Sequence, residues 1–123
     1  MRRSEMHEFS LMENVIRIVR QTATENKLTS VTAINLVVGA TSAVNADALH
    51  FAFEILEKEE AILKGVVLTI EETPARAYCP QCQEDHTLWR MDLLCPSCGH
   101  LPLQLRSGEE FYVKSIEGER ENG

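Results

Sequence analysis

Two pairs of cysteines are the residues of this sequence whose type and spacing most directly indicate chemistry. Each pair has the form Cys-Pro-x-Cys, and 12 residues separate the two pairs, Cys79 with Cys82 and Cys95 with Cys98. A two-residue spacing lets one tight turn present two thiolates to a tetrahedral metal ion at about 2.3 Å. Four thiolates favour zinc over iron or a redox role, and a complete shell leaves no position for substrate. The pairs therefore predict a structural zinc site.

The segment around the cysteines has no net charge, which bears on whether it binds nucleic acid. Its three arginines are balanced by three acidic residues: Arg76, Arg90, Arg106, Glu84, Asp85 and Asp92. The whole chain has 12 basic and 19 acidic residues, a net charge of −7. Because phosphate binding depends on clustered Lys and Arg, we expect no nucleic-acid partner. Tyr78 and Trp89 are interpreted as core aromatics rather than as platforms for stacked bases.

The composition of the 123 residues is that of a globular protein. An apolar content of 44% with 25% charged residues argues against a disordered tail and against a membrane protein. No apolar stretch is long enough to cross a bilayer, and residues 4–8 place charge where a signal peptide would be apolar. We therefore expect a cytoplasmic protein with no membrane partner. In a reducing cytosol, clustered thiols are more often metal ligands than disulfides.

The first element that must support these residues is an amphipathic helix. Apolar residues at 11, 12, 15, 16 and 19 predict a helix over 10–26. Ser10 and Glu13 have the spacing of a capping box, which would start the helix there. Residues 6–9 would then precede the helix.

A second helix is predicted over about 46–63. Asn45 is a typical N-cap residue, and the apolar positions that follow have helical spacing. Phe51 and Ile55 widen the apolar face of this helix. Its length and pattern favour a position packed on a sheet.

Three strands and the cysteine segment complete the predicted fold. Runs of β-branched and alternating residues indicate strands over 31–38, 66–73 and 111–116. We therefore predict an α+β fold with two helices on one face of a three-stranded sheet, into which a four-cysteine zinc ribbon is inserted. The predicted domains are an α/β domain, 1–75 plus 106–123, and an inserted zinc-ribbon domain, 76–105.

Met6-His7-Glu8 is a weak motif by itself, because a surface histidine beside a glutamate is common. The order of features is more specific: MHEFSLMENVI, a helix, a strand ending at Gly39, NADALHFAFEILEKEE, a strand, CPQC, CPSC and a final strand. This order resembles the HypA/HybF family of nickel metallochaperones for hydrogenase maturation. The resemblance covers residues 6–117, nearly the whole chain.

The resemblance implies a protein that binds nickel(II) and delivers it during maturation of nickel-iron hydrogenase. It implies nickel binding by His7 and nearby backbone nitrogen, with Glu8 tuning the site or contacting a partner, and it assigns zinc to the four cysteines. Square-planar nickel(II) accepts such nitrogen ligands. The implied partners are a HypB-type GTPase and the hydrogenase large-subunit precursor. No nucleophile is paired with a base in the sequence, so we expect no enzyme.

The five residues before Met6 depart from the family pattern. Family members generally begin at Met-His-Glu, which makes the terminal amine available as a nickel ligand. Either translation starts at Met6, or the extension removes that ligand and His7 works with backbone amides, Glu8 or a second chain. The sequence favours neither.

The client enzyme, the assembly and two histidines also stay open. The family includes members that serve urease, and the apolar residues of the first helix could face the core or a second subunit in a homodimer. His86 and His100 follow the cysteine pairs and could exchange with a thiolate at zinc, or could be solvated surface residues. The alternative function is a zinc-ribbon adaptor that binds only protein and has no dependence on His7.

Overall fold

The computed structural model describes residues 3–89 and 92–120, with side chains from His7 onward in the first range. Two helices and six strands form in these ranges. In chain order they are α1 (Arg3–Glu25), β1 (Leu28–Gly39), α2 (Ala46–Leu56), β2 (Val67–Thr73), β3 (Ala75–Cys79), β4 (Glu84–Leu88), β5 (Gln104–Ser107) and β6 (Phe111–Arg120). The predicted α+β class with two helices and a four-cysteine cluster is confirmed. The difference is a second three-stranded sheet, in the cysteine segment.

The described chain divides into two compact units, of which the first comprises the described residues within Met1–Leu36, Asn45–Ile70 and Val113–Gly123. In this unit α1 packs against α2, and the largest fully buried side chains include Met12, Val19, Ile34, Leu49 and Leu63. All of these except Leu63 are apolar positions that the helical and strand periodicities predict.

The first sheet has the strand order β2-β1-β6. Thr29 Oγ1 donates to the Glu119 carbonyl at 3.2 Å, and Asn35 Nδ2 donates to Ser115 Oγ at 2.8 Å. Residue numbers rise along β1 as they fall along β6, so these two strands are antiparallel. The strand β6, from the end of the described chain, therefore lies beside β1, from its beginning.

The start of α1 corrects the sequence interpretation. The helix begins at Arg3, so residues 6–9 lie inside it, and Ser10 is within the helix rather than at its N-cap. The buried face of the helix extends toward the N-terminus, because Glu8 is buried one turn before Met12. A polar residue at that position gave no apolar signal, and the capping-box spacing at Ser10 was therefore misleading.

The end of α2 also differs from the prediction. Asn45 caps the helix as expected, since its side chain accepts a hydrogen bond from the Ala48 N–H at 2.9 Å. The α-helix ends at Leu56, and two single 3-10 turns, Glu57–Glu59 and Ala61–Leu63, follow it. Three glutamates at 57, 59 and 60 place like charges close together, which disfavours continuing the α-helix.

The second unit comprises Val37–Val44 and Glu71–Tyr112. Its sheet has the order β4-β3-β5, and β3 is antiparallel to both neighbours. A small core of Ala77, Cys79, Cys95 and Leu103 lies within it. The core of this unit contains few apolar residues, and a domain with so small a core usually needs a bound metal to be stable.

A close backbone approach in the second unit explains Gly39. A Cβ at this position would lie 2.1 Å from the Gly108 carbonyl oxygen, so a side chain is excluded. The Gly39 N–H donates to the Glu110 carbonyl at 2.7 Å, and the Thr41 N–H donates to the Gly108 carbonyl at 2.8 Å. Gly39 therefore allows the two backbone segments to pair rather than simply ending a strand.

No helix among the described residues combines the length and apolar character needed to cross a membrane. The predicted domain boundaries, at 75/76 and 105/106, stay a prediction.

Candidate metal centre

The first cysteine pair lies in the turn that joins β3 to β4. Cys79 is the last residue of β3, and the Gln83 N–H donates to its carbonyl at 2.7 Å. Gln83 has a positive φ of 58°, which turns the chain back toward β4. The Cys82 N–H donates to Cys79 Sγ at 3.3 Å, so the turn directs both sulfurs to the same side.

The second pair repeats this arrangement. The Cys98 N–H donates to Cys95 Sγ at 3.5 Å, and the Gly99 N–H donates to the Cys95 carbonyl at 3.0 Å. Gly99 has a φ of 77°, the left-handed conformation that glycine adopts without steric cost. The His100 carbonyl accepts a hydrogen bond from the Cys95 N–H at 2.9 Å and closes the turn.

The four sulfurs have the spacing of a tetrahedral ligand shell. Cys79 Sγ is 3.6 Å from Cys98 Sγ, Cys82 Sγ is 3.8 Å from Cys95 Sγ, and all four lie within 4.8 Å of one another. Ligands at about 2.3 Å around a tetrahedral ion would be about 3.8 Å apart. None of the four cysteines forms a disulfide. The donor set and its geometry fit one zinc ion, and the predicted clustering of the cysteines is confirmed.

The surroundings of the thiols favour ionisation of one of them. Burial raises the pKa of Cys95, but the backbone N–H groups of Cys98 and Ser97 outweigh it and lower this pKa to about 6. The Cys98 side chain and then burial raise the pKa of Cys82 well above its ordinary value. Because metal ligands must be thiolates, binding of a metal would release protons from the cluster.

One histidine lies beside the cluster, and it is His86. Its Nε2 is 3.5 Å from Cys95 Sγ. The antiparallel register places His86 opposite Ala77, two residues before Cys79, and this explains its approach. His100 contacts the second cysteine pair through its backbone carbonyl. Sequence spacing alone could not show which of the two histidines has its side chain beside the cysteines, because the register between β3 and β4 is not visible in the sequence.

The predicted nickel-binding residues lie in α1. His7 is 59% exposed, and its Nδ1 is 3.7 Å from Glu8 Oε1. Glu8 is only 2% exposed, and its Oε1 accepts a hydrogen bond from the Asn45 N–H at 3.2 Å. The other carboxylate oxygen, Oε2, is buried without a hydrogen-bond partner among the described residues. His7 is thus accessible to a metal ion, whereas Glu8 is held inside the fold.

His7 and Glu8 do not form a ligand cluster comparable to the cysteines. Across residues 7–89 and 92–120, the four cysteines are the group of three or more side chains placed to hold one ion. A nickel site at His7 would need backbone nitrogen or another chain, so this assignment stays a prediction.

Comparison with known proteins gives a consistent result. The family model described as hydrogenase/urease nickel incorporation, metallochaperone, hypA, matches residues 6–118. The chain is 35% identical over 114 residues to hydrogenase maturation factor HypA of Moorella thermoacetica, covering 93% of this chain and 100% of that protein. It is 36% identical to hydrogenase maturation factor HybF of Klebsiella pneumoniae with the same coverage. The solution structure of the Ni metallochaperone HypA from Helicobacter pylori is similar with a TM-score of 0.65 and 22% identity, covering 93% and 98% of the two chains.

Proposed function

The chain belongs to the HypA family of hydrogenase and urease nickel-incorporation metallochaperones, and on this basis we propose that it binds nickel(II) at His7 and delivers it to a nickel-iron hydrogenase during maturation. The family match carries this proposal. It begins at Met6 and extends to residue 118, so that His7, Glu8 and the four cysteines all lie within it. The exposure of the His7 ring suits a site that must accept and release an ion.

We propose a structural zinc ion as the resident cofactor. Cys79, Cys82, Cys95 and Cys98 would hold it, and the sulfur spacing supports four-thiolate coordination. A complete thiolate shell stabilises the fold of the inserted ribbon, which we assign to residues 76–105 within a nickel-binding domain of 1–75 plus 106–123. Nickel(II) is the cargo and binds elsewhere.

In this proposal Glu8 supports the nickel site without binding the ion through its carboxylate. Its carboxylate accepts a backbone hydrogen bond and is buried, so one oxygen is already engaged. Glu8 contributes through its backbone nitrogen and by placing the His7 ring, 3.7 Å from its Oε1. A carboxylate near the imidazole also favours a fixed ring orientation.

The proposed setting is the cytoplasm, with a HypB-type GTPase and the hydrogenase large-subunit precursor as partners. The family description includes urease as well as hydrogenase; the HypA and HybF relatives are named for hydrogenase maturation, which favours that client. We assign the protein no catalytic reaction, since its proposed task is binding and transfer.

A calorimetric titration with nickel(II) tests the proposal. Zinc-loaded protein should bind nickel, and His7→Ala should weaken binding by more than about tenfold without changing zinc content. His50→Ala is the matched control, because His50 is also a partly accessible histidine on a helix. Equal binding by wild type and His7→Ala would remove His7 from the site. Absence of nickel binding in all variants would favour the zinc-ribbon adaptor instead.

A further inference from the structure

Helix α2 is apolar over most of its circumference. Its sequence, ADALHFAFEIL, has only three polar residues: Asp47, His50 and Glu54. A helix of this kind is normally covered on more than one side. Leu49, Ala52 and Phe53 are buried and form the covered face.

Two large apolar side chains lie outside that face. Phe51 is 54% exposed and Ile55 is 39% exposed. They are four residues apart, so they are neighbours on the helix surface. The sequence pattern predicts that both widen the apolar face of the helix, and the structure leaves this part of the face exposed to solvent. We call this pair the α2 ridge.

Acidic residues border the α2 ridge. Asp47 lies one turn before Phe51, Glu54 lies three residues after it, and Glu59 lies four residues after Ile55; all three are exposed. Within the described part of the chain, none of the three has an ion pair or a side-chain hydrogen bond. Lys58 adjoins Glu59 in the chain, and Arg20, which lies near Glu59, already forms an ion pair with Glu60. The border thus carries an excess of unpaired negative charge.

We propose that the α2 ridge is a docking surface for a partner protein that presents apolar side chains flanked by Lys or Arg. Phe51 and Ile55 would supply the desolvated centre of the contact, and the surrounding carboxylates would pair with the basic rim of the partner. Exposed aromatic residues with an adjacent aliphatic residue are suited to the centre of an interface.

The negative charge of the border favours a basic partner protein over the other binding partners considered. In a two-fold contact between copies of the chain, the same acidic patch would face itself, and like charges would oppose association. Nucleic acid and anionic lipid surfaces are negatively charged and would be repelled in the same way. A basic protein surface satisfies both the apolar and the acidic part of the patch.

The choice of probe rests on the proposed function, since a nickel-delivering protein must contact other proteins in the transfer. The probes are the purified HypB-type GTPase and the purified hydrogenase large-subunit precursor from the same source as the chain. Dissociation constants are measured without nickel between about 50 and 300 mM NaCl. The variants are Phe51→Ser/Ile55→Ser and Asp47→Asn/Glu54→Gln, and Val67→Ser is the control because Val67 is 61% exposed on β2.

We expect at least one probe to bind, with an affinity that falls as salt rises. The ridge variant should weaken that binding by about tenfold or more, the charge variant should flatten the salt dependence, and Val67→Ser should change neither. Binding of neither probe, or equal binding by wild type and the ridge variant, would overturn the proposal. A wild-type dimer in sedimentation that the ridge variant abolishes would also overturn it. A parallel nickel titration of the ridge variant tests the proposed nickel site separately.

Discussion

The Glu8 carboxylate accepts a hydrogen bond from the Asn45 backbone N–H at 3.2 Å, which joins the early part of α1 to the residue that caps α2. Glu8 is almost fully buried, so this bond lies in a low-dielectric environment. The positive N-terminal end of α2 favours a negative charge there. The position of His7, which directly precedes Glu8, therefore depends on where α2 begins.

Replacement of Glu8 should reveal this coupling. We expect Glu8→Ala to lower the free energy of unfolding by about 2 kcal/mol, because it removes a hydrogen bond to a charged group. Glu8→Gln keeps an oxygen acceptor and should lose less than half as much. Urea denaturation measures both, with Glu13→Ala as a control on an exposed position of the same helix. Equal stability of all four proteins would contradict a structural role for this bond.

Loss of one zinc ligand should affect the ribbon more than the helices. Cys95 is both a proposed ligand and a member of the small core in the second unit, and zinc binding in such a unit is largely folding free energy. We expect Cys95→Ala to lose most of its zinc, measured by metal analysis, and to lose amide protection in β3 to β5 on hydrogen exchange. Protection in α1 and α2 should persist.

The matched control for the zinc experiment is Ser97→Ala. Ser97 lies between the two cysteines of its pair but is not a proposed ligand. Its variant should keep the zinc content of wild type. A Cys95→Ala protein with normal zinc and normal protection would rule out a structural four-thiolate site.

Much of the fold follows from short-range patterns in the sequence. The apolar periodicity of α2, the Asn45 cap and the β-branched residues of β1 specify those elements, and the structure has each of them. The two Cys-Pro-x-Cys pairs likewise indicate a cluster, because their turn geometry is local. These predictions succeeded where neighbouring residues alone determine the conformation.

Other features depend on distant residues and could not be predicted. The buried Glu8 acquires its hydrogen bond from Asn45, 37 residues away, so its place inside α1 had no local signal. The approach of His86 to Cys95 depends on the register of β3 and β4. Exposure of Phe51 depends on which faces of α2 are covered, and periodicity does not determine that.

The stability of the protein should fall in acid partly through Glu110. The hydrogen bond from the Gly108 N–H lowers the pKa of Glu110 from its ordinary value of 4.5. Burial opposes this shift, and the hydrogen bond from the Thr73 hydroxyl adds to it. A carboxyl with a lowered pKa in the folded state stabilises the fold above its unfolded-state pKa, and this contribution is lost as pH falls through the folded-state value. Glu110→Gln removes the titrating charge.

We therefore expect the stability difference between wild type and Glu110→Gln to be largest near neutral pH and to shrink below about pH 4.5. Thermal unfolding at a series of pH values measures it. Glu109→Gln is the control, since Glu109 is the neighbouring exposed carboxyl. A difference that grows toward acid would contradict the assignment.

The helical start of α1 leads to a prediction about nickel affinity. Because α1 begins at Arg3, the N–H groups of His7 and Glu8 fall within the helix, where each has a carbonyl four residues earlier as acceptor. Nickel(II) can use these nitrogens only if the first turns unwind and the amides lose their protons.

A chain that starts at Met6 places His7 and Glu8 in the first turn, without such acceptors, and adds a terminal amine beside His7. We expect this chain to bind nickel about tenfold more tightly than the full chain and to develop the visible absorption of square-planar nickel(II). His7→Ala in the shortened chain should abolish that absorption, and equal affinity of the two lengths would mean that the helix does not compete with the metal.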